Sequence, residues 1–389
     1  MIDLEKLQNS FKKIFKRNNF PRIYFSPGRI NIIGEHIDYN GGYVLPAAVN
    51  LGTYAGGSRN NENIIRLFSL NYEKSGVIKS PIKNISYKEE QNWANYPLGV
   101  IKTFQNKGFE LDQGIDIIFY GDIPHSSGLS SSASIELATA EALKDIFEFR
   151  IDKIETAKIC RESENNFNRV NCGIMDQFAC SMGEKNKIIL LKSDTLKYTL
   201  VPFNSKNHSF IVTNSNVSRK LSDSKYNERV AECNKALKDL NKKIKAKNLC
   251  SITPEIFADN RNLIENEAHK KRAEHAVMEN HRSKLAGSAL ANGDLKIFGN
   301  LMYQSHKSLK DKYEVSISQL DTLVNLARKQ GALGSKMTGA GFGGCTVSLV
   351  ENKSIPNFIE NIKKEYQKKF KIEPSIYPIK ISKGTHRIK

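Results

Sequence analysis

The segment GDIPHSSGLSSSASIELATAEAL, Gly121 to Leu143, constrains this chain more than any other. It joins three patterns in succession: the strand-like run GIDIIFYGDIP ending at Pro124, a stretch of small residues, and a helical pattern from Ser131. Small side chains let backbone N–H groups approach an anion, and the new helix aims its unpaired N–H groups and positive dipole end at the same point. The hydroxyls of Ser130, Ser131 and Ser132 add donors and an oxygen ligand for magnesium. The dipole alone contributes about 0.3–1 kcal/mol at an exposed site, so tight phosphate binding needs the N–H cradle, the hydroxyls and a metal together. Read by itself, the segment is either such a cradle or an ordinary serine-capped helix. It is not the loop G-x-x-x-x-G-K-[ST], and the chain lacks the paired H-R-D and D-F-G motifs of protein kinases.

At 389 residues the chain has room for two domains, each with its own core. RIYFS and IIRLFSL read as strands ahead of the loop, and helical patterns cover about 131–147 and 153–169. KIILLKSDTLKYTLVPF reads as a hairpin with its polar turn near Ser193–Thr195, and SFIVTNSNV as a further strand. A mostly helical region from about 218 to 330 follows, then a Gly-rich loop, CTVSLV, a helix and a last strand. The domain boundary is placed near residue 190, to within about ten residues.

In MIDLEKLQNSFKKIFK, Leu4, Leu7, Phe11, Ile14 and Phe15 fall at helical spacing, which predicts an amphipathic helix docked on the body and not a signal peptide. No apolar run approaches the roughly 20 residues of a membrane helix. Six scattered cysteines without a C-x-x-C pair point to free thiols and a cytoplasmic protein. The net charge is +18, yet the lysines are spread along the whole chain with no arginine-rich or aromatic-basic cluster. With charges screened over about 8 Å at physiological salt, this favours solubility and an anionic small ligand, not nucleic acid.

Three acidic features carry candidate chemistry. GEHIDYN, Gly34 to Asn40, sets Glu35, His36 and Asp38 between the apolar flanks SPGRINII and GGYVLPAAV. These are metal-binding types, but no second His or Cys cluster stands out to complete a transition-metal shell. Ile154, Ala157, Cys160, Glu164 and Phe167 share one helical face, so Glu164 is either a paired or metal-bound acid on a buried stripe or an edge glutamate reaching solvent. In NCGIMDQFACSMG, the turn at Gly173 predicts a helix start with Asp176 at its positive end, as a cap or a functional acid.

PGRINIIGEHIDYNGGYVLP, WANYPLGV, GLSSSAS, NCGIMDQF, NSNV, YEVSISQLDTL and MTGAGFGGC occur in that order nearly end to end. Together they resemble the GHMP sugar kinase family, in its galactokinase branch. The resemblance implies an α+β fold of two domains with the active site in the cleft between them. Residues 1–190 would carry the sugar signature and phosphate loop, and 191–389 the Gly-rich third motif. It implies ATP-dependent phosphorylation of α-D-galactose at C1, giving galactose 1-phosphate and ADP, the first committed step of galactose catabolism. A kinase for N-acetylgalactosamine or another sugar is the alternative enzyme. A non-catalytic galactose sensor is the alternative of another class, although such relatives tend to have damaged second motifs and GLSSSA is complete here.

By the same resemblance, Asp176 is the base or orienting anion for the C1 hydroxyl, and Arg29 lies beside it. Glu35, His36, Asp38, Gly173 and Tyr226 bind the sugar, with Asp176. Tyr226 also shares a helical face with Val230, Cys233, Leu237 and Leu240, so it fits a core position with its hydroxyl at the pocket edge. Trp93 and Tyr96 match adenine-contacting positions, and Ser126, Ser127, Gly128, Leu129, Ser130, Ser131, Ser132 and Ala133 form the phosphate loop. Ser132 and Glu164 hold Mg²⁺, and the partners are galactose and ATP, bound by a monomer. Ser126 and Ser127 depart from the usual glycine-type pair, Ala340 from a common glycine, and Ile37 from the usual threonine.

Overall fold

The expected N-terminal helix forms as α1 (Leu4–Phe15), where the Asp3 carboxylate accepts from the Glu5 N–H at 2.9 Å. The computed structural model describes residues 3–124, 127–203, 206–217 and 222–389. After α1 come β1 (Arg22–Asn31), β2 (Tyr43–Val44), β3 (Pro46–Asn60), β4 (Ile64–Ser69), β5 (Ile78–Pro81), α2 (Asn95–Asn106), β6 (Gly114–Gly121), α3 (Ser131–Ile146), α4 (Lys153–Asn166) and α5 (Met175–Met182). The second half holds β7 (Lys187–Lys192), β8 (Lys197–Pro202), β9 (His208–Asn214), α6 (Ser222–Leu240), α7 (Pro254–Asn260), α8 (Glu267–Ala291), α9 (Leu295–Ser308) and α10 (Ser318–Lys329). It ends with β10 (Gly334–Thr338), β11 (Cys345–Glu351), α11 (Ile355–Phe370), β12 (Ser375–Ile379) and β13 (His386–Arg387).

The fold is α+β. A six-stranded sheet runs β13-β1-β3-β6-β4-β5, antiparallel except where β4 lies parallel to β6. One face buries Leu98, Ile101 and Phe104 of α2 and Leu137 and Leu143 of α3. The other packs Ile23, Phe25 and Ile118 against Leu7, Phe11 and Phe15 of α1. A four-stranded sheet, β10-β11-β9-β12, and a small sheet, β2-β7-β8, complete the strand set among the described residues. Ile30, Ile32 and Leu45 meet Phe210, Phe298 and Val347 in one core, so the two chain halves are joined by packed apolar surface. Residue 190 falls inside β7, and β13 pairs with β1, Tyr24 opposite Arg387.

The hairpin stands as expected, with Lys192 opposite Lys197 across its turn. The long strand β3 is the main element that local pattern does not announce. Its sequence, PAAVNLGTYAGGSRN, is poor in the bulky β-formers that mark strands. The close packing needs that: a side chain at Gly52 would drive its Cβ into the Ser26 carbonyl oxygen of β1. Among the described residues no helix is long and apolar enough to cross a membrane.

Candidate active site

A cavity of about 400 Å³ opens where the first strand, the phosphate loop and the helices α4 to α6 converge. Arg29, Glu35, His36, Asp38, Ser127, Gly128, Ser130, Ser131, Ser132, Glu164, Gly173, Asp176 and Tyr226 all line it. Residues far apart in sequence are thus brought to one place. Leu129 and Ala133 are fully buried, their side chains turned into the core on either side of the loop. Ser126 lies outside the described residues.

Asp176 sits in the first turn of α5, where the helix dipole favours a carboxylate. Arg29 grips it with both arms: Nε donates to Oδ1 at 2.8 Å and Nη2 to Oδ2 at 2.9 Å. The third guanidinium nitrogen, Nη1, donates to the Gly128 carbonyl at 2.6 Å, tying the acid to the phosphate loop. Ser130 Oγ donates to Asp176 Oδ2 at 2.5 Å. Ser130 occupies the N-cap position of α3 in a left-handed conformation and makes no side-chain cap bond. The ordinary serine cap is therefore not what this loop builds: the Ser130 hydroxyl is engaged with the acid.

Glu164 faces the same cavity from α4 under opposite conditions. It is buried, and among the described residues it has no ion pair. Gln177 Nε2 donates to its Oε2 at 2.5 Å, and Ser132 and Cys172 also bond to it. Burial, followed by the charge of Asp176, pushes its carboxyl up to about 7. Behind it lies Glu136, also buried, which accepts from the same Gln177 Nε2 at 3.1 Å. Its carboxyl is pushed well above the usual range by burial and then by Glu164. Glu136 and Gln177 were not among the expected site residues. A sign of Glu136 was there to read, because it shares a helical stripe with Ala133, Ala140 and Leu143, the pattern that singled out Glu164.

On the sugar-loop side, burial pushes Asp38 up to about 6, with the nearby Asp176 charge acting the same way. Gly173 makes room for it: a Cβ there would run into Asp38 Oδ2. His36 has positive φ (61°), and both ring nitrogens are engaged, Nδ1 with Tyr39 Oη at 2.9 Å and Nε2 with the Ala340 carbonyl at 3.1 Å. Burial drops its pKa to about 3, so the ring is neutral, with Nε2–H as donor. Tyr226 packs its ring against His36 and Tyr39, 5.4 Å from each. Among the described residues no group of three or more His, Cys, Asp and Glu side chains could hold a metal. Glu35 is ion-paired to Lys336, a buried lysine on β10 that no pattern in the sequence singles out.

A second cavity, about 190 Å³, shares Ser131 and Ser132 with the first and is lined by Trp93 and Tyr96. Trp93 lies nearly parallel to Tyr72, at 12° and 6.4 Å between centroids, and its buried Nε1 has no hydrogen-bond partner among the described residues. A slot walled by aromatic rings, with Asn71 and Asn92 also lining it, thus opens onto the phosphate loop.

The galactokinase galactose-binding signature matches residues 9–59, the GHMP kinases N terminal domain matches 95–184, and the GHMP kinases C terminal model matches 288–368. The galactokinase of Fusobacterium nucleatum is 47% identical over 388 residues, covering 99% of this chain and 100% of that protein. The chain belongs to the galactokinase family. The Clostridium acetobutylicum galactokinase is likewise 47% identical, over 99% of both chains. Among solved structures, Lactococcus lactis galactokinase complexed with galactose superposes with a TM-score of 0.97 at 40% identity, over 99% of this chain and 100% of that one. Methanococcus jannaschii mevalonate kinase, at 22% identity and a TM-score of 0.66, shares the fold. In this galactokinase-family chain, the signature region supplies Arg29 and the loop from Glu35 to Asp38. The N-terminal GHMP domain supplies Tyr96, the phosphate loop, Glu164 and Asp176.

Proposed function

We propose that the protein transfers the γ-phosphoryl group of ATP to the C1 hydroxyl of α-D-galactose, giving galactose 1-phosphate and ADP. The observation that carries this reading is the Asp176 carboxylate, gripped by Arg29 between the sugar loop and the phosphate loop. The C1 hydroxyl oxygen attacks the γ-phosphorus, the bond to the β–γ bridging oxygen breaks, leaving ADP, and the proton of the C1 hydroxyl passes to Asp176. The donors from Arg29 and Ser130 fix the acid's orientation. Arg29 also supplies positive charge beside the transferring group. Because phosphoryl transfer is largely dissociative in most analyses, such positioning and electrostatics carry much of the rate.

Glu35, Asp38, His36, Gly173 and Tyr226 are assigned to the sugar. Buried acceptors of this kind reject a sugar that lacks the matching hydroxyl, because the acceptor is left unpaired. Trp93 and Tyr96 are assigned to the adenine, with Ser126, Ser127, Gly128, Leu129, Ser130, Ser131, Ser132 and Ala133 forming the loop around the phosphates, Ser130 through its main chain. Mg²⁺ fits Ser132 and Glu164: both offer oxygen, Glu164 has no cation among the described residues, and Mg²⁺ takes one or two protein ligands beside phosphates and water. When bound, Mg²⁺ neutralises charge on the phosphates. The free cysteines support a cytoplasmic enzyme, and we assign it as a monomer.

The test is galactose-dependent ADP release by the purified protein with Mg²⁺ and ATP, alongside a sugar panel ranked by kcat/KM. Turnover with galactose foremost is expected. Preference for N-acetylgalactosamine would reassign the substrate, and no turnover with any sugar would reject the reading.

A further inference from the structure

Lys336 carries a charge into the interior of the molecule, where its side chain is 0% exposed. Its Nζ bonds to Glu35 Oε2 and donates to the Met337 carbonyl at 2.7 Å. Glu35 is 2% exposed and lines the cavity, and its Oε1, itself buried, has no hydrogen-bond partner among the described residues. The strand that bears Lys336, with the loop after it, grips the sugar-loop segment at two further points. Thr338 Oγ1 accepts from the Asn31 N–H at 3.1 Å, and Ala340 O accepts from His36 at 3.1 Å.

A buried ion pair is weak evidence for stability, since well-packed apolar residues often do as well. This pair does something that an apolar pair cannot: it divides one carboxylate into a committed oxygen and an uncommitted one. We propose that Lys336 is a positioning residue for sugar recognition, which by occupying Oε2 of Glu35 presents Oε1 as a fixed acceptor for one galactose hydroxyl. The inference rests on the sugar-binding role proposed above for Glu35. The charged groups around the carboxyl are Lys336, Arg29 and Glu279, and burial pushes it up to about 7 although Lys336 and Arg29 act the other way. Without the lysine the carboxyl would rise further, shifting Glu35 towards the protonated form, which offers a donor where the sugar needs an acceptor.

The experiment is steady-state kinetics of the full chain with galactose, each monodeoxygalactose and ATP. In Glu35→Gln the galactose KM is expected to rise, and the deoxy sugar that suffers no further loss identifies the hydroxyl that Glu35 reads. Lys336→Met is expected to raise the galactose KM about tenfold or more, with the ATP KM within about twofold and no added loss for that same deoxy sugar. Lys336→Arg, which keeps a donor, is expected to restore most of the discrimination. Should Lys336→Met not fold, the double variant Glu35→Gln/Lys336→Met removes the charge imbalance. It is expected to match Glu35→Gln alone, because Lys336 acts through Glu35. A loss in the double variant that is the sum of two separate losses would overturn the proposal. So would a raised KM in Glu35→Gln beside a parental KM in Lys336→Met, which would leave the Glu35 assignment intact. A parental galactose KM in Glu35→Gln would overturn that assignment and the proposal with it.

Discussion

Asp176 and Glu164 flank the same cavity from adjacent helices, yet their surroundings are opposite. Asp176 is held by a two-armed arginine and a serine hydroxyl, so its charge is met within the protein. Glu164 is met by an amide, a hydroxyl and a thiol, with the buried Glu136 behind it. A buried carboxylate without a counter-charge is unfavourable, and Glu164 answers by rising to about 7. The difference matches the two tasks proposed for these acids. Under the roles proposed above, a group that orients a reacting hydroxyl is best fixed in advance by the protein, whereas one that receives a cation is best left short of positive charge.

The sharpest way to break this comparison is to remove the fixed acid. Asp176→Ala is expected to lower kcat by on the order of 10³-fold or more while near-UV circular dichroism keeps its folded signature. Retention of more than about a tenth of the parental rate would reject its role.

Glu164→Gln should behave differently in two measurements. The Mg²⁺ concentration for half-maximal rate is expected to rise about tenfold or more. In thermal melts at pH 8 the free chain should be more stable than the parent, by on the order of 1–3 kcal/mol, because an amide replaces a carboxylate that burial disfavours. A lower melting point at pH 8 would show that Glu164 has a counter-charge after all.

Gly173→Ala drives a methyl group into Asp38 Oδ2 and is expected to raise the galactose KM about tenfold, with little change in the ATP KM. Equal changes in both would show a general distortion of α5.

Asp38 itself gives a pH test. Its carboxyl is pushed up from 3.8 to about 6, so between those values the folded chain holds a proton that the unfolded chain has lost. The stability this contributes is complete below pH 3.8 and lost as pH rises through about 6. The stability of Asp38→Asn relative to the parent should therefore climb from about pH 4 to about pH 7 and level off above, over a span on the order of 3 kcal/mol read from thermal melts. A difference that does not vary with pH would place the Asp38 carboxylate in a fully solvated setting. The smallest effect is expected from Glu136→Gln, which keeps the shape of a side chain whose charged form burial already disfavours and should shift stability at pH 7 by less than about 1 kcal/mol.

Legibility in the sequence followed physical scale. The strand-to-helix loop, the Glu164 stripe, the Asp176 turn and the hairpin that sets Lys192 opposite Lys197 are all local, each decided within a short run of chain. The strand β3 was not legible, because its small residues are required by neighbours on both sides and not by its own propensity.

By itself the sequence determined that a loop of small residues would enter a helix, that Glu164 would share a helical face with apolar residues, and that polar GEHIDYN would lie between apolar flanks. Ordered motifs along the chain were enough to point to the family. Only the tertiary structure decided which acid received a counter-charge. It joined Arg29 to Asp176, left Glu164 with Gln177 and Glu136, and set Lys336 on Glu35. The reason is that periodicity fixes which face of an element is buried, whereas the charge state of a buried group depends on partners that only packing brings within a few ångströms.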